Sequence, residues 1–229
     1  MYNTIGIIGA MPDEVKILNG KLSGAKSETV AGVTFTTGEL HGKTVTVCCA
    51  GMGKVNAACA TQLLITKYNA QCILFSGIAG NMTSKISVGD LVISDVVCYH
   101  DAELPMIAQS YPGSDCYKAD VSMIAAAQKA CDKHGINHIV GKIATGDLFI
   151  ADSAVKNAIA AKCNPDCVEM EGAAVGHIAA KNDVPFLIIR AMSDDCDEGA
   201  RDKLVVKQFD ITEYVHTATL ITEETVAQL

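Results

Sequence analysis

The chain contains no tryptophan, and its other large aromatic residues are limited to five phenylalanines and six tyrosines. A surface that grips single-stranded nucleic acid stacks successive bases on aromatic rings, and little here supplies one. Basic residues are also scarce. Eighteen Lys and Arg stand against 26 Asp and Glu, giving a net charge of -8 with no basic cluster to neutralise a phosphate backbone. Nucleic acid is therefore not expected as a partner. No uninterrupted apolar run approaches the roughly 18 residues that a membrane helix needs, so no membrane span is expected either. Met1-Tyr2-Asn3-Thr4 passes straight into Ile5-Gly6-Ile7-Ile8 without the basic start or small-residue cleavage site of a secretion signal. A cytoplasmic location is the expectation.

What the chain has in quantity is apolar residues, 49% of the total, and ten cysteines. The cysteines lie mostly inside apolar segments (Cys48-Cys49, Cys59, Cys72), which reads as small core side chains rather than disulfides. Cys163 and Cys167 are close in sequence, but no second Cys/His pair with zinc-ligand spacing accompanies them, so no metal site is expected. The 229 residues fit one α/β domain spanning 1–229; two full domains would be cramped.

Apolar stretches rich in β-branched residues recur at Thr4-Gly9, Val33-Gly38, Thr44-Ala50, Cys72-Ser76, Leu91-Val97, His138-Ala144 and Phe186-Met192, and read as strands. Alanine-rich segments of helical spacing follow them: Lys54-Tyr68, Val121-His134, Ser153-Lys162, Gly172-Lys181 and Lys207-Ala227. Continuous apolar runs such as Cys72-Ile73-Leu74-Phe75 predict a sheet covered on both faces, with mainly parallel central strands. Ligands gather at the carboxyl ends of such strands. Asp101-Lys118, with Pro105, Pro112 and Gly113, is the one long irregular stretch and reads as a surface or pocket loop.

Five strand ends carry polar or small residues that chemistry can use. The first strand exits into Gly9-Ala10-Met11-Pro12-Asp13-Glu14, where the acids either complement a helix dipole or face a ligand. Gly6-x-x-Gly9 lacks the third glycine of a dinucleotide fingerprint, which argues against a Rossmann cofactor. Two small-residue turns, Ala50-Gly51-Met52-Gly53-Lys54 and Ser76-Gly77-Ile78-Ala79-Gly80, either hold a ligand through backbone N–H groups or are tight connections. In Val168-Glu169-Met170-Glu171-Gly172 a short strand passes into a helix, and a solvated helix start suits Glu169 better than Glu171. The last strand is apolar until it delivers Ser193-Asp194-Asp195, where an acid is either placed for function or caps a helix.

Taken together, Gly9-Ala10-Met11-Pro12-Asp13-Glu14, Ser76-Gly77-Ile78-Ala79-Gly80, Gly146-Asp147-Leu148-Phe149-Ile150, Val168-Glu169-Met170-Glu171 and Arg190-Ala191-Met192-Ser193-Asp194 closely resemble the methylthioadenosine/S-adenosylhomocysteine nucleosidase family. The match runs through almost the whole chain. It implies the α/β nucleoside phosphorylase-like three-layer fold, in which a central mixed twisted sheet forms a distorted barrel flanked by helices, and a homodimer. It also implies a small-molecule nucleoside substrate and no cofactor or metal. Carried over by position, the water-activating base falls on Glu14, the purine-protonating acid on Asp194 and the ribose-binding glutamate on Glu171. Phe149 resembles the residue that stacks on adenine, with the Ile150 backbone at the purine edge and Met170 against the ribose. Ser76, Ser193 and Arg190 resemble supporting polar positions, and Ile78 and Glu169 join the substrate-binding set without separate roles. Phe209 corresponds to a pocket-covering aromatic, although Arg201-Gln208 departs from the family pattern.

Such chemistry needs several acids. Cleavage passes through an oxocarbenium-like sugar, and adenine leaves poorly as an anion. Asp194 would supply the proton, Glu171 negative charge near the sugar, and Glu14 the attacking water. Two other readings stand beside hydrolysis. A phosphorylase would need cations around its phosphate, and the turns at Gly9-Met11 and Ser76-Gly80 contain no arginine. A non-catalytic nucleoside-binding protein would have little use for Glu14 and Asp194 together. The 5′ pocket is expected from the Asp101-Ile107 region, with Leu104, Pro105 and Met106 as candidates and a share from a partner subunit. Methylthioadenosine, S-adenosylhomocysteine, 5′-deoxyadenosine and futalosine-type nucleosides all remain open as substrates.

Overall fold

The computed structural model describes residues 2–200 and 211–229. Ten strands and seven helices are named here in chain order: β1 (Thr4–Gly9), α1 (Pro12–Lys21), β2 (Ser23–Val30), β3 (Val33–Leu40), β4 (Lys43–Cys49), α2 (Lys54–Thr66), β5 (Cys72–Asn81), β6 (Leu91–Tyr99), α3 (Leu104–Ile107), β7 (Cys116–Lys118), α4 (Val121–His134), β8 (His138–Thr145), α5 (Ser153–Cys163), β9 (Cys167–Glu169), α6 (Gly172–Lys181), β10 (Phe186–Asp194) and α7 (Thr212–Gln228).

All ten strands belong to one sheet, in the order β10-β6-β8-β9-β5-β1-β4-β3-β2, with β7 on β6. Because β10 also pairs with β5, five strands close on themselves as a barrel, while β1, β4, β3 and β2 extend from it as an open wing. The distorted barrel flanked by helices is thus present. The central strands are mainly parallel, as the apolar runs predict: β1–β4, β1–β5, β10–β5, β6–β8 and β8–β9 are parallel, while β10–β6 and β5–β9 are antiparallel within the ring and make the sheet mixed. The residues Ile5, Ile7, Ile8, Ile73, Leu74, Phe75 and Leu187 to Ile189 are all fully buried, as expected for strands covered on both sides.

Three expectations change. Ser76-Gly80 is not a turn after a strand, since β5 runs on to Asn81, pairing Gly80 with both Asp194 and Val168. Glycine and alanine there allow β5, β9 and β10 to converge. The Asp101-Lys118 stretch holds the short helix α3 and the strand β7. Ser23–Val30 forms an edge strand that apolar patterning did not show, because nearly all of it is exposed and it pairs through Ser27–Thr36 and Thr29–Thr34 hydroxyls. Residues 207–210 of the expected C-terminal helix lie outside the described residues; the described helix starts at Thr212 and packs on α1, α4, β5 and β10. Among the described residues no helix is long and apolar enough to cross a membrane.

Candidate active site

The strand ends deliver Glu14, Glu169, Glu171 and Asp194 to one cavity of about 150 Å³, walled also by Met11, Met52, Ile78, Phe149, Met170 and Arg190. Each acid arrives by a different local device.

Glu14 is the third residue of α1, within the first turn that Pro12 starts. Its side chain folds back over the strand end. Oε2 accepts the N–H groups of Ala10 (2.6 Å) and Met11 (2.9 Å), which the helix start leaves without intrahelical partners, and Oε1 accepts that of Ile78 (3.2 Å). The residue is 1% exposed, so a solvated dipole partner is not its role. Burial pushes its pKa above the ordinary carboxylate value, and the nearby Arg190 charge and the three N–H donors pull against that. Gly77 makes the arrangement possible: a Cβ there would lie 2.6 Å from Glu14 Oε1.

Arg190, buried in β10, lies beside Glu14 with its guanidinium 4.1 Å from the centroid of the Phe75 ring. Its Nη2 donates to Oε2 of both Glu169 and Glu171, the latter at 3.2 Å, and its Nη1 donates to the Ile78 carbonyl at 3.3 Å. Burial opposes the arginine charge, but Glu169, Glu171 and Glu14 together raise its pKa.

Glu169 departs from the solvated reading. It is buried, pairs with Arg190, and accepts the Thr145 hydroxyl and the N–H groups of Glu171 (3.1 Å) and Gly172 (2.7 Å). It thereby closes the start of α6. Sequence spacing could not show this, because its partner Arg190 lies 21 residues away.

Glu171 Oε1 accepts the Gly53 N–H at 2.8 Å. Gly53 has φ of 96°, a conformation in which glycine suffers no Cβ clash. Burial, opposed by Arg190 and reinforced by Glu169, raises the Glu171 pKa to about 7.

Asp194 ends β10 just past a register shift between Met192 and Asp194, a bulge of the kind that re-aims a side chain. The Ser193 hydroxyl lies 2.8 Å from Oδ2 and 3.2 Å from the Ala79 carbonyl, and the Cys196 N–H donates to Oδ1 at 2.9 Å. The aspartate is thus held through both oxygens at the cavity wall.

Of the other expected residues, Ile78, Phe149, Met170 and Ser193 line the cavity, while Ser76 and Ile150 are buried behind it. Ile150 packs with Cys98, Ala144, Ile159, Val168 and Cys196. Phe209 lies outside the described residues. Leu104, Pro105 and Met106 are not among the cavity walls of this chain. Met11, Met52 and Thr145 escaped sequence reasoning as individuals, although Met11 and Met52 sit inside motifs already singled out.

Comparison with known proteins bears on the family and the fold. The profile of the Phosphorylase superfamily matches residues 4–227. A 5′-methylthioadenosine/S-adenosylhomocysteine nucleosidase of Bacillus thuringiensis subsp. konkukian (strain 97-27) is 43% identical over 196 residues, covering 83% of this chain and 85% of the relative. Among solved structures, the nucleosidase of that name from Neisseria meningitidis, in complex with methylthio-immucillin-A, superposes with a TM-score of 0.92 at 30% identity, covering 99% of this chain and all of the other. Futalosine hydrolase of Helicobacter pylori strain 26695 superposes with a TM-score of 0.90 at 27% identity, covering 99% of this chain and 98% of the other.

Proposed function

The chain belongs to the phosphorylase superfamily and, within it, to the 5′-methylthioadenosine/S-adenosylhomocysteine nucleosidases, and on that premise we propose that it hydrolyses the N-glycosidic bond of those nucleosides to adenine and the thioribose product. The observation that carries the reading is that Glu14, Glu171 and Asp194, brought by three separate strand ends, face one cavity.

Each carboxylate has a task its surroundings suit. Glu14, kept from bulk water and raised in pKa, is a stronger base than an exposed glutamate and takes a proton from the attacking water. Glu171, fixed by Gly53 and Arg190, receives the ribose hydroxyls and sets negative charge beside the oxocarbenium-like sugar. Asp194 passes a proton to the imidazole-ring nitrogen of the departing adenine; the Ser193 hydroxyl and the Cys196 N–H fix its orientation. Phe149 and Met170 supply apolar walls for the base and the sugar.

A phosphorylase reading has one observation in its favour, the cationic Arg190 in the cavity wall. That guanidinium is already committed to Glu169 and Glu171, with Glu14 adding a third acid nearby. A multiply charged phosphate would meet an excess of carboxylates. Measuring adenine release with and without phosphate tests the choice. Hydrolysis predicts equal rates and free thioribose, whereas strict phosphate dependence with a sugar-phosphate product would reject it.

The exposed apolar side chains Met52 and Phe149 at the cavity, with their neighbours Val55 and Leu148, support a homodimer in which a second subunit completes the 5′ pocket. Sedimentation of the purified protein tests this, a monomer at micromolar concentration being the contrary result. A panel of methylthioadenosine, S-adenosylhomocysteine, 5′-deoxyadenosine and a futalosine-type nucleoside, compared by kcat/KM, ranks the 5′ preference. The reading further places the protein in the cytoplasm, as one domain.

A further inference from the structure

Glu171 takes its Gly53 hydrogen bond from a turn that is itself held from outside. Gly53, the residue before α2, has no side chain to cap the helix, so the N–H groups at this start find partners elsewhere in the chain. Two successive ones go to two different carboxylates: the Gly53 N–H to Glu171 Oε1 at 2.8 Å, and the Lys54 N–H to Asp147 Oδ1 at 2.9 Å. Asp147 follows β8, two residues before Phe149 of the cavity wall. An acid there also complements the positive end of α2. The fit is close, since a Cβ on Gly53 would lie 3.2 Å from Asp147 Oδ1. A third element locks the pair. Lys54 Nζ reaches both carboxylate oxygens of Asp101, each at 2.7 Å, and lies 3.4 Å from Asp147 Oδ2. Asp101 Oδ2 in turn accepts the Asp147 N–H at 3.0 Å. Burial opposes the Asp101 charge, but Lys54 and the Asp147 N–H outweigh it and hold the carboxyl below its ordinary pKa. Asp101 follows β6, and Lys162 of α5 secures that stretch through the His100 carbonyl at 2.7 Å.

We propose that Asp147 is a positioning residue for Glu171: by fastening the Lys54 N–H it holds the neighbouring Gly53 N–H on the Glu171 carboxylate. Lys54 and Asp101 keep Asp147 in place for that task. None of the three is in the cavity wall, so their effect reaches the substrate through Gly53 and Glu171. The inference rests on the hydrolase reading, in which the Glu171 charge must meet the oxocarbenium-like sugar in one fixed place. Without the Asp147 oxygen, the glycine turn is free to settle where its N–H points away from Glu171. Because the Asp147 N–H would keep its bond to Asp101 in an alanine variant, the Phe149 wall stays where it is. The loss therefore falls on the transition state rather than on substrate binding.

The test compares variants of the full chain. The Asp147 side chain is half exposed, so Asp147→Ala should fold. Its kcat on methylthioadenosine should fall at least about 10-fold while KM stays within about 3-fold of the parent. Asp147→Asn keeps an oxygen that accepts the Lys54 N–H and should recover kcat to within about 3-fold of the parent. A second measurement needs no substrate: amide exchange at Gly53 should run at least about 10-fold faster in Asp147→Ala than in the parent. That result upholds the positioning even in a chain that fails to hydrolyse methylthioadenosine, a failure that would reject the hydrolase reading alone. Three results would each overturn the proposal: Asp147→Ala with kcat within about 3-fold of an active parent, Asp147→Asn no better than the alanine variant, or unchanged Gly53 exchange.

Discussion

Arg190 and Glu171, both buried, meet through Nη2 and Oε2 at 3.2 Å, and the same Nη2 also holds Glu169. One guanidinium therefore orients the residue proposed to hold the ribose and the residue that closes α6. Replacing Arg190 with methionine strands two buried carboxylates, a loss on the order of 3–5 kcal/mol. Urea unfolding should show it; a change under about 1 kcal/mol would mean the acids are satisfied without the arginine.

Gly77 offers a subtler test of the same region. A Cβ there would meet Arg190 Nη1 as well as Glu14 Oε1, the latter at 2.6 Å, whereas Gly20 in α1 has open space. Gly77→Ala should fold yet lower kcat at least about 10-fold by displacing the base and the Arg190 guanidinium beside it, while Gly20→Ala should keep full activity and gain up to about 1 kcal/mol of stability, the helix preference for alanine. Equal kcat for the two variants would detach Glu14 from the chemistry.

The raised Glu171 pKa has a consequence for stability. Unfolded, its carboxyl ionises near the ordinary value of 4.5; folded, near about 7. The folded state thus binds the proton more tightly, and this contribution to stability is fully present below the unfolded value and lost as pH rises toward and through 7. Glu171→Gln removes that loss. The difference in Tm, variant minus parent, should grow more positive from pH 5 to pH 8; a flat or falling difference would show that Glu171 ionises normally in the folded protein.

The reach of the sequence varies with what each residue depends on. The run Phe186 to Met192 showed a strand buried on both faces because burial leaves an apolar record in the chain itself. The acids Glu14, Glu171 and Asp194 stood out only through the resemblance of five motifs together, each alone having an ordinary alternative. Glu169 was misread because its burial is set by Arg190 and Thr145, distant in sequence. The strand character of Ser76 to Gly80 was hidden because glycine and alanine, poor strand formers, are what the convergence of β5, β9 and β10 demands. Ser23–Val30, exposed on both faces, had no apolar period to read.

The division of labour between Asp194 and Glu14 is tested most directly by changing the leaving group. Asp194→Asn and Glu14→Gln should each lower kcat on methylthioadenosine at least about 10²-fold. On the 4-nitrophenyl glycoside of 5-methylthioribose, whose nitrophenolate departs as a stable anion, Asp194→Asn should retain activity within about 10-fold of the parent, while Glu14→Gln remains as impaired as before. Equal loss on both substrates for Asp194→Asn would contradict its role as the acid that protonates the departing base.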